Sequence, residues 1–132
     1  LMGDLDHFKQ VNDTYGHLTG DAVLRGVSGL LSKQLRKTDV GGRYGGEELI
    51  VVLHRCGIDA AATFAGRWRD GIETTEFQTA DGSGCVPVSI SIGVAEYHPD
   101  MMSPEDLIEA ADRALYRAKD AGRNRVEVAT EL

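Results

Sequence analysis

Apolar residues recur at three- and four-residue intervals in three segments of the chain, the spacing that buries one face of an α-helix. The first segment runs from Asp21 to Leu35, the second follows Asp59, and the third starts at Ser103 and Pro104 and stops before Gly122. Serine or aspartate before a helix, proline in its first turn and glycine after its last turn are common boundaries. We therefore predict three helices, with Asp59 and Ser103 as N-terminal caps. Their expected buried positions are Val23, Leu24, Val27, Leu30, Leu31 and Leu35, then Ala61, Ala62, Ala65, Trp68 and Ile72, then Leu107, Ile108, Ala111, Leu115 and Ala118.

Shorter apolar runs between these helices predict strands. The chain opens with a short strand, Leu1 to Phe8, and the polar segment KQVNDTYGH follows it as a loop. Val40 to Tyr44 and Glu48 to Leu53 flank Gly45-Gly46, which suits a tight hairpin because glycine accepts positive φ angles without steric cost. In Val86 to Ala95, alternating apolar residues predict one strand with a single buried face. Phe77 to Thr79 and Arg125 to Val128 complete the predicted strands.

The resulting order, β-α-β-β-α-β-β-α-β, predicts a ferredoxin-like α/β (α+β) sandwich, βαββαβ with added elements. A length of 132 residues suits one compact domain, so residues 1–132 are expected to form a single unit. A strand reached through a crossover usually lies beside the first strand, which would bring the hairpin tip close to Asp4. Such a fold alone indicates no function.

Acidic residues on the first strand and at the hairpin tip are candidates for metal binding. Asp4 lies in a strand predicted to be internal, where a carboxylate is costly unless it is paired or binds metal. Glu47 and Glu48, taken alone, are explained as a charged strand edge that opposes aggregation. Beside Asp4, however, they would offer the carboxylates that Mg²⁺ prefers together with phosphate oxygens. For Asp6 and Asp13 we favour a simpler role, the capping of nearby turns.

The formal net charge of −7 argues against a nucleic-acid duplex as partner, because backbone binding requires clustered Lys and Arg. An anionic ligand would need a divalent metal or a small basic pocket to offset the carboxylates. Lys9, Lys119 and Arg123 could form such a pocket, although each is ordinary as a surface cation. The sequence contains neither a GxGxxG motif nor a Walker P-loop, so a nucleotide would be held by other means.

The remaining composition points to a reduced compartment. Cys56 and Cys85 form no metal-ligand motif, and we expect two reduced, mostly buried thiols. The four histidines show no zinc-ligand spacing. No apolar run approaches the roughly 18 residues of a membrane helix. We expect a cytoplasmic domain that was cut from a longer protein, which can itself be membrane-bound.

Several ordered motifs closely resemble the GGDEF domain of bacterial diguanylate cyclases: GDLDHFKQVNDTYGH, the GD at positions 20 and 21, RYGGEEL, SISIGVA and DRALYRAKDAGRNRV. The resemblance spans essentially the whole chain. It implies a palm-like fold shared with nucleotide cyclases and polymerases. It also implies an enzyme that condenses two GTP molecules into cyclic di-GMP with release of pyrophosphate, each subunit of a homodimer presenting one GTP. The alternatives are a catalytically silent receptor for GTP or cyclic di-GMP and, more weakly, a palm-type cyclase or polymerase that uses another nucleotide.

The resemblance also implies roles for individual residues. Asp4 and Glu48, with the Leu5 carbonyl, would bind two Mg²⁺ or Mn²⁺ ions per active site, and Glu47 would assist deprotonation of the attacking ribose hydroxyl. Asn12 and Asp21 would recognise guanine. Phosphates would be bound by Lys9, Lys119, Arg123 and the backbone amides of His7 and Phe8. Gly45 and Gly46 would let the nucleotide approach the hairpin turn closely.

A product-inhibition site is implied by Arg36 and Asp39, an RxxD pair upstream of the glycines, together with Arg67 on the second predicted helix. The chain departs from the family pattern in two places near the acids: Leu49 replaces the usual Phe, and Glu47 stands where many members have Asp. The family's N-terminal D-x-L-T-G-L-x-N-R segment, its preceding helix and any sensory or dimerisation module are absent. We therefore expect a domain truncated at its N-terminus, with one edge uncovered.

Overall fold

Residues 1–130 are described by a computed structural model, in which a central sheet carries helices on both faces. Within this range the chain forms, in order, β1 (Met2–Leu5), α1 (Phe8–Tyr15), α2 (His17–Gln34), β2 (Val40–Gly45), β3 (Glu48–Val52), α3 (Ile58–Thr74), β4 (Phe77–Gln78), β5 (Cys85–Val86), β6 (Ile90–Val94), α4 (Pro104–Asp120) and β7 (Val126–Val128). None of these helices is long and apolar enough to cross a membrane.

The five-stranded sheet has the order β2-β3-β1-β6-β7. Strand β1 is internal and pairs antiparallel with both β3 and β6, and β2 pairs antiparallel with β3. These four strands confirm the predicted ferredoxin-like sandwich and the predicted position of the hairpin beside β1. The additional strand β7 lies parallel to β6 at the sheet edge, and β4 and β5 form a separate two-stranded sheet.

Helices α2 and α3 bury the main core against one face of the sheet, and α4 covers the other face. Gly93 in β6 permits the close approach of α4. A Cβ at this position would lie closer than 3.0 Å to the Ala111 carbonyl oxygen and the Leu115 nitrogen. Because backbone atoms of a packed helix cannot yield as a flexible side chain can, any residue but glycine would push α4 away from the sheet.

Two predicted elements, the loop after the first strand and the strand from Val86 to Ala95, differ from the structure. The expected loop after the first strand is helix α1, whose buried residues are only Phe8 and Val11, so its outward polar positions hid the helical period. The expected strand from Val86 to Ala95 is split into β5 and β6. Strand β6 is buried on both faces rather than one, because α3 and α4 cover it from opposite sides.

Helix boundaries and cysteines give further corrections. Helix α3 starts at Ile58 with Gly57 as its cap, and Asp59 lies inside the first turn. The Ile58 N–H donates to Glu96 Oε1 at 2.8 Å, so a distant carboxylate replaces the expected local cap. Ser103 and Pro104 do begin α4 as predicted, although the Ser103 side chain makes no capping bond. Both thiols are free, but Cys56 is only half-buried and Cys85 is exposed.

An apolar groove of about 520 Å³ lies on the α4 side of the sheet. Its lining includes Met2 at the start of β1, Val52 at the end of β3, and Ile108 of α4. Since β1 and β3 are antiparallel, these positions lie at the sheet end opposite Asp4 and Glu48. The groove and the acidic residues therefore occupy different ends of the same face.

Asp39 closes the turn between α2 and β2. Its carboxylate, nearly inaccessible at 1% exposure, accepts hydrogen bonds from the Arg36 backbone N–H at 2.9 Å and from Arg36 Nε and Nη2 at 3.0 Å. It also accepts from the His54 N–H at 3.1 Å, beyond the end of β3. The Arg36 guanidinium in turn donates to the His54 carbonyl at 2.7 Å. This pair joins the base of the β2–β3 hairpin to α2.

Replacing Asp39 by asparagine should lower the free energy of unfolding by about 1–2 kcal/mol at pH 7, because charge-assisted hydrogen bonds are lost. The Arg36 hydrogen bonds hold the pKa of Asp39 at about 2 in the folded protein. A carboxyl whose pKa is lowered on folding stabilises the protein above its unfolded pKa and loses that effect as the pH falls through the folded value. Urea unfolding should therefore show the difference between wild type and Asp39→Asn shrinking from about pH 4 to pH 2.

The exposed Asp13 provides the control for this prediction. Asp13→Asn should leave the unfolding free energy within about 0.5 kcal/mol of wild type at neutral pH. A constant difference between wild type and Asp39→Asn across the acid range would contradict the ionic role of Asp39.

Candidate active site

Two carboxylates meet across neighbouring strands at the acidic end of the sheet. Asp4 of β1 and Glu48 of β3 are directly opposite each other in the antiparallel pairing. Residues opposite each other on one face have Cβ atoms about 4.5–5.5 Å apart, so both side chains leave the same side of the sheet. Asp4 is only 7% exposed, as expected for an internal strand, and Glu48 is half-buried. The predicted approach of the hairpin to Asp4 is thus confirmed.

Burial and mutual repulsion make this pair electrostatically demanding. Burial raises the pKa of Asp4, the Lys119 ammonium opposes that effect, and Glu47 and Asp6 add to it. Burial also raises the pKa of Glu48, followed by the charges of Asp4 and Asp112. Adjacent carboxylates disfavour each other's ionised form unless a cation lies between or beside them.

Lys119 supplies a cation at this position. Its Nζ donates to Asp4 Oδ2 at 2.5 Å, from the last turn of α4 and across the face of the sheet. The Lys119 side chain remains 34% exposed, whereas that of Asp4 is 10% exposed. A flexible, partly solvated ammonium is an exchangeable partner for a buried carboxylate.

The donor set at this position fits a divalent cation. Mg²⁺ in proteins is usually held by one or two carboxylates and keeps water or phosphate oxygens as its other ligands. Asp4 and Glu48 offer two such carboxylates, and Lys119 already places a positive charge against one of them. In residues 1–130 no group of three or more His, Cys, Asp or Glu is arranged to enclose a metal. A metal here would therefore need ligands besides these side chains, from a backbone carbonyl, water or a substrate.

The hairpin tip beside these acids is open. A register shift lies between Arg43 and Gly45, and Arg43 Nη2 donates to the Gly46 carbonyl at 2.5 Å. Neither Gly45 nor Gly46 adopts the positive φ that we predicted for the turn. A Cβ at Gly46 would meet no atom within 4 Å, and one at Gly45 would meet only Glu48 Oε1 at 3.9 Å. Local backbone strain therefore does not require these glycines.

The space between α1 and α2 contains Asn12 and depends on Gly20. A Cβ at Gly20 would lie closer than 3.0 Å to Asn12 Oδ1, so only glycine lets the Asn12 amide lie across the start of α2. Asp21, the next residue, is exposed on the same helix. Sequence reasoning missed the role of Gly20, although a glycine four residues into a helix and beside a candidate ligand is an available signal.

Basic residues are distributed unequally around the site. Arg123 Nη1 donates to the Lys119 carbonyl at 3.4 Å, so both predicted cations lie at the end of α4. Lys9 is exposed in the first turn of α1 and makes no ion pair within residues 1–130. His7 precedes α1 in a left-handed conformation, φ 55°, and provides no side-chain cap. Phe8, the first residue of α1, is buried.

The turn-capping role predicted for Asp6 and Asp13 is wrong. Asp13 lies within α1 and is exposed. Asp6 is buried, and its carboxylate accepts hydrogen bonds from Ser89 Oγ at 2.7 Å, Ser91 Oγ at 2.6 Å and the Asn124 N–H at 3.0 Å. Asp6 therefore connects β1 to β6 and to the turn after α4. Such partners are distant in sequence and could not be predicted from local motifs.

The RxxD pair lies at the base of the hairpin, away from its tip. Arg36 projects to the surface with its side chain 56% exposed, held by the buried Asp39. Arg67 is exposed on α3 and, among the described residues, makes no hydrogen bond or ion pair with Arg36 or Asp39.

Known proteins resemble this chain over nearly its whole length. The family model of the diguanylate cyclase GGDEF domain matches residues 1–125. Diguanylate cyclase A of Treponema denticola is 45% identical over 126 residues, covering 96% of this chain and 33% of that protein. The chain thus spans about a third of the length of this curated relative.

Solved structures agree in fold. The GGDEF domain of DgcB from Caulobacter crescentus, solved in complex with c-di-GMP, superposes with a TM-score of 0.92 at 35% identity, covering 97% of this chain and 75% of that one. The active GGEEF domain of a diguanylate cyclase from Vibrio cholerae gives a TM-score of 0.90 at 30% identity, covering 99% and 81% respectively. These matches confirm the palm-like α/β fold of nucleotide cyclases. By sequence and by fold, the chain belongs to the GGDEF domain family of diguanylate cyclases.

Proposed function

We propose that this domain condenses two GTP molecules into cyclic di-GMP with release of pyrophosphate. The observation that carries the proposal is the Asp4–Glu48 pair, which faces the open Gly45-Gly46 tip and has Lys119 as an exchangeable cation. Phosphoryl transfer needs positive charge beside the triphosphate and an open approach for the nucleotide. The similarity to diguanylate cyclases supports the same reaction.

Asp4 and Glu48, with the Leu5 carbonyl, are proposed to hold two Mg²⁺ or Mn²⁺ ions. When bound, these ions would neutralise phosphate charge and activate a ribose hydroxyl. Lys119 would then leave Asp4 and become available to the phosphates, together with Arg123 and Lys9. The amides of His7 and Phe8 would add backbone donors at the start of α1, where the helix dipole favours an anion.

Guanine is proposed to bind between α1 and α2. The Asp21 carboxylate can accept from the ring N–H and the exocyclic amine of guanine, which adenine cannot satisfy. Asn12, whose amide lies against Gly20, would complete the recognition. Glu47 would accept the proton of the attacking hydroxyl, and Gly45 and Gly46 would leave space for the nucleotide at the hairpin tip. The active GGEEF domain among the structural matches supports glutamate at position 47.

Each subunit is proposed to present one GTP, so that the reaction takes place between the two subunits of a homodimer. Two bonds must form between a hydroxyl of one nucleotide and a phosphate of the other, and a single Asp4–Glu48 pair serves one of them. Proximity of two bound substrates replaces a bimolecular encounter and supplies much of the rate. The rate per subunit should therefore rise with protein concentration.

Glu48→Ala should reduce cyclic di-GMP formation from GTP and Mg²⁺ by at least about a hundredfold, because metal stabilisation supplies several kcal/mol. Glu47→Ala should slow the reaction but leave metal binding nearly unchanged. Calorimetry with Mn²⁺ and GTP separates the two effects, since only Glu48→Ala should sharply weaken metal binding. Glu109→Ala, an exposed change on α4, should match wild type in both measurements.

The silent-receptor alternative makes a different prediction in the same assay. A concentrated wild-type protein fused to a constitutive dimeriser would bind GTP and yet form no cyclic di-GMP. That outcome would exclude the cyclase and leave a nucleotide receptor.

Gly20→Ala should weaken guanosine binding and reduce the preference for GTP over ATP by roughly tenfold, because the new methyl group displaces the Asn12 amide. Gly29→Ala lies on the same helix with no atom near its added Cβ and serves as the matched control. Titration with guanosine, followed by GTP and ATP, measures both effects. Unchanged selectivity in Gly20→Ala would remove Asn12 from guanine recognition.

The RxxD pair is proposed as a product-inhibition site, with Arg67 as a further contributor. Asp39 holds the Arg36 guanidinium through Nε and Nη2, and the exposed part of the group, which includes Nη1 and the planar face, suits a guanine edge or a phosphate. Cyclic di-GMP should bind wild type at micromolar or lower concentration, and Arg36→Ala should abolish binding. Arg113→Ala, an exposed arginine on α4, is the control. Undiminished binding by a folded Arg36→Ala variant would exclude the site.

A further inference from the structure

A strained turn follows α4. Gly122, Arg123 and Asn124 all have positive φ, at 122°, 66° and 49° respectively. Glycine adopts this region freely, but two successive residues with side chains rarely do. Such a conformation persists only where the surrounding structure fixes it.

Asn124 is fixed from three directions. Its backbone N–H donates to Asp6 Oδ2 at 3.0 Å, and its side-chain Oδ1 accepts from Arg69 Nη1 at 3.0 Å. Its Nδ2 donates to Glu73 Oε2. Arg69 and Glu73 are one turn apart on α3 and pair with each other at 3.3 Å. The asparagine thus ties the turn to β1 through its backbone and to α3 through its side chain.

The Asp6 end of this connection is rigid. Asp6 is buried and also accepts from the Ser89 and Ser91 hydroxyls, and its own N–H donates to the Ser89 carbonyl at 2.9 Å. A buried carboxylate with all its hydrogen-bond partners in place is costly to move, because any shift leaves polar groups unpaired. Asp6 therefore gives Asn124 a fixed reference in the turn directly after β1, two residues from Asp4.

The turn also determines where two cations lie. The Arg123 N–H donates to the Ala118 carbonyl at 2.9 Å, and the Arg123 guanidinium folds back on the Lys119 carbonyl at 3.4 Å. Lys119 in turn reaches Asp4 at 2.5 Å. A change in the backbone at Asn124 would therefore move Arg123 first and then the end of α4 that carries Lys119.

We propose that Asn124 is a positioning residue that, held by Asp6, Arg69 and Glu73, sets the placement of Arg123 and Lys119 for the triphosphate. The inference rests on the proposed function, since these two cations are assigned to phosphate there. Asn124 itself touches no substrate. Its effect is confined to ligands that carry phosphates, which distinguishes it from the guanine-binding residues.

Asn124→Ala and Asn124→Gly test the inference together. Alanine loses both side-chain hydrogen bonds and disfavours the left-handed backbone, whereas glycine loses the same bonds but accepts that backbone. Affinity for GTP with Mg²⁺ should fall roughly tenfold in the alanine variant and less in the glycine variant. Affinity for guanosine, which has no phosphate, should equal that of wild type in both. Arg113→Ala on the exposed side of α4 should alter neither affinity.

Each outcome decides the inference. If both variants lost affinity for guanosine and for GTP to the same extent, the cause would be general destabilisation, and the role of Asn124 would be overturned. Wild-type affinity for GTP in the glycine variant would also overturn it, because the side-chain hydrogen bonds of Asn124 would then be dispensable. If the wild-type chain bound GTP no more tightly than guanosine, there would be no phosphate site, which would contradict both the proposed cyclase function and the role of Asn124. Normal GTP binding by wild type and by Asn124→Ala would overturn only the role of Asn124.

Discussion

The juxtaposition of Asp4 and Glu48 across internal strands is the constraint on which the rest of the site depends. Burial raises the pKa of both carboxyls, and the charge of Asp4 on the opposite strand raises that of Glu48 further. The protein meets the cost with a single ammonium from a helix on the same face. Because the Lys119 side chain is 34% exposed, its ammonium can be exchanged for another cation at Asp4 without stranding a buried charge.

The close packing of α4 on the sheet brings the Lys119 ammonium within reach of Asp4. Gly93 allows the helix backbone to approach β6 more closely than any side chain would permit, and the same helix carries Lys119 in its last turn. The turn beyond it is tied to β1 and to α3 through Asp6 and Asn124. Packing at Gly93 therefore positions the middle of α4, and hydrogen bonding at Asn124 fixes the turn that follows its end.

The sequence predicted this arrangement where the signal was local or topological. Strand order and the crossover rule predicted that the hairpin tip lies close to Asp4, and the structure adds that β3 of that hairpin, not β2, is the neighbour of β1. Helix α1 was missed because an eight-residue helix with two buried positions has almost no periodic signal. The role of Gly20 depends on the packing of two helices, and that of Asp6 on residues 83, 85 and 118 positions away. Contacts of that kind are products of the tertiary fold and leave no local pattern.

Asp4 and Asp6 show why residue type alone could not assign function on this strand. Both are buried aspartates two residues apart, Asp4 within β1 and Asp6 in the turn directly after it. Asp6 is satisfied by two hydroxyls and a backbone N–H, none of which can leave without stranding a buried polar group. Asp4 has instead a long side-chain cation with access to solvent. A partly exposed ammonium gives way to another cation more readily than a buried set of hydroxyl and backbone donors does. Asp4 is therefore the carboxylate of the two that is suited to binding a cation, whereas Asp6 stabilises the fold.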